Sequence, residues 1–324
     1  MDVVDLFCGA GGFSQGALQA GCKVVFACDN NEEAIETHSL NHPETTHWCC
    51  DLPRDDIPFP TDGRRFHVHA SPPCQALSTA GEKDPYSVDT SMNILRWYIE
   101  LVVSSRAESW SMEQVGSPKV IAELERARRR YPKRIAYAVF DFYDLGVPQT
   151  RKRLIVSTPD MLARLMRCSG AHRRRSIAQC VTNIKGTHIR NSRYHLTYRR
   201  RLPFESESKR KALNVYTKAN ATDSCLPVSG PGPTIMAGRY SGWWVTIVEG
   251  EVWRLGLSMQ DIAELQTFPS DYAFPRAKAV ATRLIGNAVP PLVAQLLLQQ
   301  HIHTHTPTGA VVLADPQSPS FLRL

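Results

Sequence analysis

The N-terminal stretch VVDLFCGAGGF restricts the fold more than any other part of the chain. An apolar run over residues 3–7 stops at glycines 9, 11 and 12, and a helically spaced segment over 13–20 follows at once. That order is strand, glycine turn, helix. The alternation continues. Apolar runs at 23–27, 46–50, 66–70, 109–115, 135–140 and 153–157 read as strands; 32–40, 93–103 and 119–130 have helical spacing. Strands separated by helices predict an α/β chain with a doubly wound, mostly parallel sheet. Ligands bind such sheets at the carboxyl ends of the strands. The glycines, Asp29, Asp51, Cys74 and Glu113 all fall at those ends.

After about residue 159 the pattern breaks. Residues 159–248 read as basic and irregular, without a clean βα period, and so as a smaller separate domain. Helical spacing returns at 258–265 and again at 292–300, after GNAVPP. Charge follows the same division. Residues 1–63 hold 11 Asp or Glu and 2 Lys or Arg, whereas residues 164–218 hold 15 Lys or Arg and 2 Asp or Glu. A segment so basic suits a polyanion, most simply a nucleic acid.

Other classes are disfavoured. No apolar run approaches the roughly 20 residues of a membrane span, and the acidic start MDVVDLF does not resemble a secretory leader. The nine cysteines include no CxxC pair, which fits a reduced compartment. His38, His42, His47, Cys49 and Cys50 match no common zinc spacing; they read as scattered helix and strand residues, and no metal is expected.

Four motifs carry chemistry. In DLFCGAGG the glycines let the backbone turn and approach a ligand closely. Asp29 is placed for ribose hydroxyls and Asp51 for an adenine amino group, so the three features together point to an adenosine-containing ligand. In SPPCQALS, Pro72 and Pro73 stiffen the chain before Cys74, the thiol of which becomes a nucleophile as a thiolate. Glu113, at the end of the strand in MEQV, can share or donate a proton in a closed pocket. QTRKR spaces Gln149, Arg151 and Arg153 two apart, so an extended backbone turns all three one way, a row of donors suited to a base carbonyl and phosphates.

In this order, nearly spanning the chain, the motifs resemble the cytosine-5 DNA methyltransferases. DLFCGAGG resembles the family's cofactor loop, SPPCQALS its PPCQ loop, MEQV its ENV element and DLGVPQTRKR its DYGVPQxRxR element. GPTIMAGR, AELQTFPSDYAF and RLIGNAVPP resemble its last blocks. The resemblance implies the Rossmann-like sheet of class I methyltransferases, with a discontinuous cofactor-binding catalytic domain (1–160 and 275–324) and a target-recognition domain (161–274). It implies S-adenosylmethionine as cofactor and S-adenosylhomocysteine as product. Phe7, Gly9, Gly11 and Gly12 would line the cofactor, Asp29 take the ribose and Asp51 with Leu52 the adenine, with Asn30 also among the cofactor residues, while Asn287 and Val289 complete the pocket. Cys74 would attack carbon 6 of a flipped cytosine, Glu113 hold the N3 proton, and Arg153 with Arg151 support the O2 side. Gln75, Ser78 and Gln149 would face the substrate, and His188, Arg190, Asn191 and Arg199–Arg201 the DNA. The expected partner is double-stranded DNA, met by a monomer inside the cell.

The chain departs from the family pattern in places. Ser71 stands for the usual Gly, Leu77 for a common aromatic, His67 for an acidic residue and Gln114 for the Asn of ENV. A related branch that methylates transfer RNA carries a CFT signature near AELQTFPSDYAF, which is absent here. A catalytically silent DNA-binding homologue tends to lose the Cys or the Glu, and both are kept. A thiol hydrolase built on Cys74 lacks an evident His partner.

Overall fold

Residues 2–6, DVVDL, are buried at every position, as expected of a central strand covered on both faces. The structure, a computed structural model, describes residues 1–73, 77, 85–180, 185–188, 214–217, 225–227, 231–237, 243–248 and 251–302. The larger sheet contains β1 (Asp2–Leu6), β2 (Lys23–Asp29), β3 (Thr46–Cys49), β4 (Phe66–Ala70), β5 (Ser109–Gln114), β6 (Ala136–Asp141) and β7 (Lys152–Ser157), in the order β3-β2-β1-β4-β5-β7-β6. The first five strands pair in parallel, and β7 runs antiparallel between β5 and β6. The order reverses between β1 and β4, so the loops leaving these two strands diverge and open a crevice at their carboxyl ends. These are the glycine loop and the segment that starts at Ser71.

Helices cover both faces. On one, α3 (Pro85–Ser104) and α4 (Pro118–Arg130) share an apolar cluster with Val4, Leu6, Val68, Trp110 and Met112. On the other, α1 (Gly12–Gln19), α5 (Pro159–Cys168) and α9 (Pro291–Ile302) share a cluster with Val3, Phe140 and Ile155. Gly16 lets α1 and α9 meet, because a Cβ there would collide with the Pro291 carbonyl and crowd Ala294. The last block thus returns to the first. Residues 278–299 are long and apolar enough, by length and composition, to cross a membrane, but 72% of an 18-residue apolar stretch within them is buried inside the protein. It includes α8 (Lys278–Asn287) and the start of α9.

The structure corrects the reading of residues 159–248 as irregular. α5 begins with Pro159 at its first turn and buries Met161, Leu162, Leu165 and Cys168 on the larger sheet's core. After α6 (Ile177–Cys180), five short strands form a second sheet. These are β8 (Lys185–His188), β9 (Asn214–Thr217), β10 (Cys225–Pro227), β11 (Trp243–Val248) and β12 (Glu251–Gly256), antiparallel in the order β10-β9-β11-β12-β8. α7 (Met259–Leu265) follows, with Ser258 and Asp261 forming a reciprocal N-terminal cap.

Candidate active site

The glycine loop has left-handed backbone at alternate residues, Phe7 (φ 55°), Gly9 (φ 52°) and Gly11 (φ 88°). Its glycines have different reasons to be glycine. A Cβ on Gly12 would strike the Val289 carbonyl, and one on Gly11 would crowd Tyr272 and His42. A Cβ on Gly9 would meet nothing within 4 Å. Gly11 and Gly12 therefore serve packing, while the backbone at Gly9 borders open space, a cradle that fits a bound adenosyl group.

Asp29, at the end of β2, orders this cradle. Its carboxylate accepts from the Gly9 N–H (3.0 Å) and the Asn31 N–H (2.9 Å), and Asn31 caps α2 (Glu32–Asn41) by accepting from Ala34 N–H (2.9 Å). Burial raises the Asp29 carboxyl above its ordinary range, opposed by those two N–H donors. Asn30 donates to Asp51 (3.0 Å), joining the ends of β2 and β3 at an exposed position, and Leu52 is buried beside them in sequence. Asn287 is exposed at the end of α8, and Val289 is buried.

A polar layer absent from the sequence reading supports the loop from behind. Tyr272 donates to the Ala10 carbonyl and bonds His42 (3.1 Å), while Asn41 pairs with both the carbonyl (2.9 Å) and the N–H (2.8 Å) of Ala273. His38 bridges Ser14 (3.0 Å) and His47 (2.8 Å), and Ser14 donates to Asp5 (2.7 Å). The three histidines cluster rather than scatter, His38 hydrogen-bonded to His47 and its ring packed 4.5 Å from that of His42. Among the described residues no group of three or more His, Cys, Asp or Glu could hold a metal ion. Burial pushes Asp5 up to about 7 and His42 down to about 4, the latter helped by His47. The signal was present in HSLNHPETTH, where the spacing sets His38 and His42 one helical turn apart.

At the end of β5, Glu113 is 6% exposed and forms an ion pair of 2.9 Å with Arg153 of β7. Next to it, Gln114 turns to the opposite face, where its amide donates to the Pro72 carbonyl (3.2 Å) and accepts from the Val115 N–H (2.8 Å). The ENV-like, PPCQ-like and QTRKR-like elements therefore meet here. Cys74, Gln75 and Ser78 lie outside the described residues, as do Arg190, Asn191 and Arg199–Arg201. Leu77 is buried in the apolar cluster under α3.

Gln149 and Arg151 do not join Arg153 in an outward row of donors. Both are buried. Gln149 donates to the Leu265 carbonyl (3.1 Å) and to Gln266, and accepts from the Ile235 N–H (3.0 Å). Arg151 donates to the carbonyls of Ile235 (3.1 Å), Gly286 (3.1 Å) and Ala288 (3.2 Å). The GPTI and GNAV segments cover this side of the strand, so these donors face backbone carbonyls of the protein itself.

The chain is 24% identical over 330 residues to the type II methyltransferase M1.HphI of Haemophilus parahaemolyticus, covering 94% of this chain and 87% of that one. It is 26% identical over 321 residues to M.HgiDI of Herpetosiphon aurantiacus, covering 92% and 93%. Among solved structures, a putative DNA modification methyltransferase encoded within an E. coli prophage aligns with a TM-score of 0.62 at 20% identity, covering 93% of this chain and 98% of that one. The S. pombe Dnmt2 methyltransferase aligns with a TM-score of 0.59 at 16% identity, covering 93% and 98%. Residues 1–303 match the family described as C-5 cytosine-specific DNA methylase, and the chain belongs to that family.

Proposed function

We propose that the crevice between β1 and β4 takes S-adenosylmethionine and a cytosine flipped out of double-stranded DNA, and that methylation at carbon 5 runs through a covalent bond to Cys74. The observation that carries this reading is the ion pair of buried Glu113 with half-buried Arg153, beside the residue that holds Pro72. An acid and a planar cation thus stand where the PPCQ-like loop begins.

Phe7, Gly9, Gly11 and Gly12 would hold the cofactor's centre, Asp29 and Asn30 its ribose, Asp51 and Leu52 its adenine, with Asn287 and Val289 closing the far side. When bound, S-adenosylmethionine supplies a methyl group made electrophilic by its sulfonium. The protein's residues do the rest. The Cys74 thiolate adds to carbon 6 of the ring, and the electron pair of the 5,6 double bond becomes available at carbon 5. Glu113 keeps a proton at N3, which favours that shift, and Arg153 steadies Glu113 and the O2 side. Once carbon 5 carries the methyl group, loss of its hydrogen as a proton restores the double bond and expels the Cys74 thiolate. Arg151 and Gln149 contribute by tying the GPTI and GNAV segments to the chain that carries Arg153.

Residues 161–274 form the target-recognition region, rooted by α5 on the larger sheet. Arg190, Arg199 and Arg200 belong to its basic stretch and would contact phosphates and bases. The protein acts as a monomer inside the cell, and the relatives' type II names point to a restriction-modification role. The test is covalent capture on duplex DNA containing 5-fluorocytosine, with S-adenosylmethionine present. A denaturation-resistant complex with the native protein and none with Cys74→Ser supports the reading. Equal capture by both would overturn the role of Cys74.

A further inference from the structure

Four side chains on one face of β4 and β5, with Ser71 just beyond the end of β4, form a single hydrogen-bonded ladder. Ser109 bonds His67 Nδ1 (2.8 Å), and His67 Nε2 bonds Ser111 (2.9 Å). Ser111 bonds His69 Nδ1 (2.8 Å), and His69 Nε2 bonds Ser71 (2.9 Å). Ser109, His67, Ser111 and His69 are at most 2% exposed, and Ser71 is half-buried. The ladder therefore runs inside the sheet and surfaces at one end, the serine that opens SPPC.

Two further contacts fix that end. The Ser71 N–H donates to the carbonyl of Leu6 (3.2 Å), the residue before the glycine loop. Phe13, in the first turn of α1, stacks on the His69 ring with centroids 3.5 Å apart and planes within 3°. His69 thus touches both the helix that follows the glycine loop and the segment that leads to Cys74.

Stability gives no reason for such a construction. Buried polar groups are costly unless all are bonded, and replacing both partners by apolar groups of similar shape is often neutral. The ladder has a property that an apolar stack lacks. A neutral imidazole donates from one nitrogen and accepts at the other. Each serine hydroxyl can do both, so all four bonds can point in one direction, and the Ser71 hydroxyl is oriented by the whole chain. The ladder also accounts together for two departures from the family pattern, His67 for an acidic residue and Ser71 for glycine.

We propose that the Ser109–His67–Ser111–His69–Ser71 ladder is a positioning element that holds the start of the SPPC segment in register with the glycine loop, so that the Cys74 thiol is delivered to the base. The proposal rests on Cys74 being the nucleophile. None of the five residues touches the reacting atoms.

The experiment is the single-turnover rate of adduct formation on duplex DNA of mixed sequence containing 5-fluorocytosine. Native protein, Ser71→Ala, Ser71→Thr and Ser109→Ala are compared, with cofactor affinity measured by calorimetry. Ser71→Ala slows capture about fivefold, roughly the weight of one net hydrogen bond, while cofactor affinity holds. Ser71→Thr, which keeps the hydroxyl, restores the rate. Ser109→Ala, at the far end, slows capture by a smaller factor, an effect that a local role of Ser71 would not produce. Capture by Ser71→Ala at the native rate, or by Ser109→Ala at the native rate, overturns the ladder. Native protein that forms no adduct overturns the assignment of Cys74, and the ladder's role with it.

Discussion

On the α3–α4 face of the larger sheet, β1, β4 and β5 present Val4, Leu6, Phe66, Val68, Ala70, Trp110 and Met112. On the opposite face the intervening positions of the same strands include Asp5, His67, His69, Ser109, Ser111 and Glu113, most of them equally buried. Strand backbones alternate their side chains between faces, so one set of strands makes both surfaces. The apolar face stabilises the fold by removing area from water, about 1.5–3 kcal/mol for each large side chain fully buried. These polar positions gain nothing in that way, although Val3 on the same face joins the apolar cluster under α1, α5 and α9, and they stay buried by hydrogen bonds and ion pairs. They also change character along the strand, from the Ser109–His67 rungs at the amino end to Ser71, Glu113 and Arg153 at the ligand end. In β4 and β5 the apolar positions hold the sheet to its helices, and the polar positions aim the groups that meet the ligands.

Substitutions on the two faces should therefore fail differently. Glu113→Gln keeps an acceptor for Arg153 but removes the acid, and methyl transfer should fall by about 10²–10⁴-fold, with a smaller fall in melting temperature than any large truncation on the apolar face. Trp110→Ala should do the reverse. It should cost about 3–5 kcal/mol of stability, read by denaturant unfolding, while folded protein at low temperature keeps much of its activity per molecule. If Trp110→Ala lost activity without losing stability, the division between faces would collapse.

The polar layer also sets a pH dependence. An unfolded imidazole titrates near 6.5, whereas buried His42 titrates at about 4. As the pH falls, the unfolded chain takes up this proton first. Stability present above pH 6.5 is thus lost progressively down to about pH 4, a total of about 3 kcal/mol from this group. Asp5 opposes it. Its carboxyl is raised from 3.8 to about 7, so its contribution is full below 3.8 and is lost as the pH rises to about 7. His42→Phe isolates the first effect. The fall in melting temperature between pH 7 and pH 4.5 should be shallower than in the native protein, and an unchanged slope would remove His42 from the account.

A smaller effect should come from Tyr272→Phe, which deletes the hydroxyl that reaches the Ala10 carbonyl and His42. Cofactor affinity should weaken about fivefold, the scale of one hydrogen bond, with methyl transfer at saturating cofactor nearly native. A loss confined to the saturated rate would place Tyr272 elsewhere in the mechanism.

The elements most legible in the sequence were those with local causes. Residues 66–70 are apolar at alternate positions and bounded by SPP, and β4 spans that range. The glycine turn and the motifs at strand ends were equally readable. α5 is less legible: Met161, Leu162, Leu165 and Cys168 have helical spacing, but the helix opens a basic stretch in which arginines stand between its apolar residues in the sequence. The row Gln149, Arg151 and Arg153 has the period of a strand, but which way a strand turns its face depends on what packs on it. Here the covering chain comes from residues 235 and 286–288, far off in sequence. The His–Ser ladder was invisible for the same reason. FHVHA and SWSMEQ each show an alternation, but only the register of β4 against β5, with His67 opposite Ser109 and His69 opposite Ser111, makes it one structure.

The most direct test of the central claim is mass spectrometry of nucleosides after incubating the protein with S-adenosylmethionine and mixed-sequence duplex DNA, with Cys74→Ser alongside. The account predicts 5-methylcytosine with the native protein only, and bisulfite sequencing of that product would then give the target site. DNA left unmodified by native protein that still binds it, or 5-methylcytosine made equally by Cys74→Ser, would contradict it.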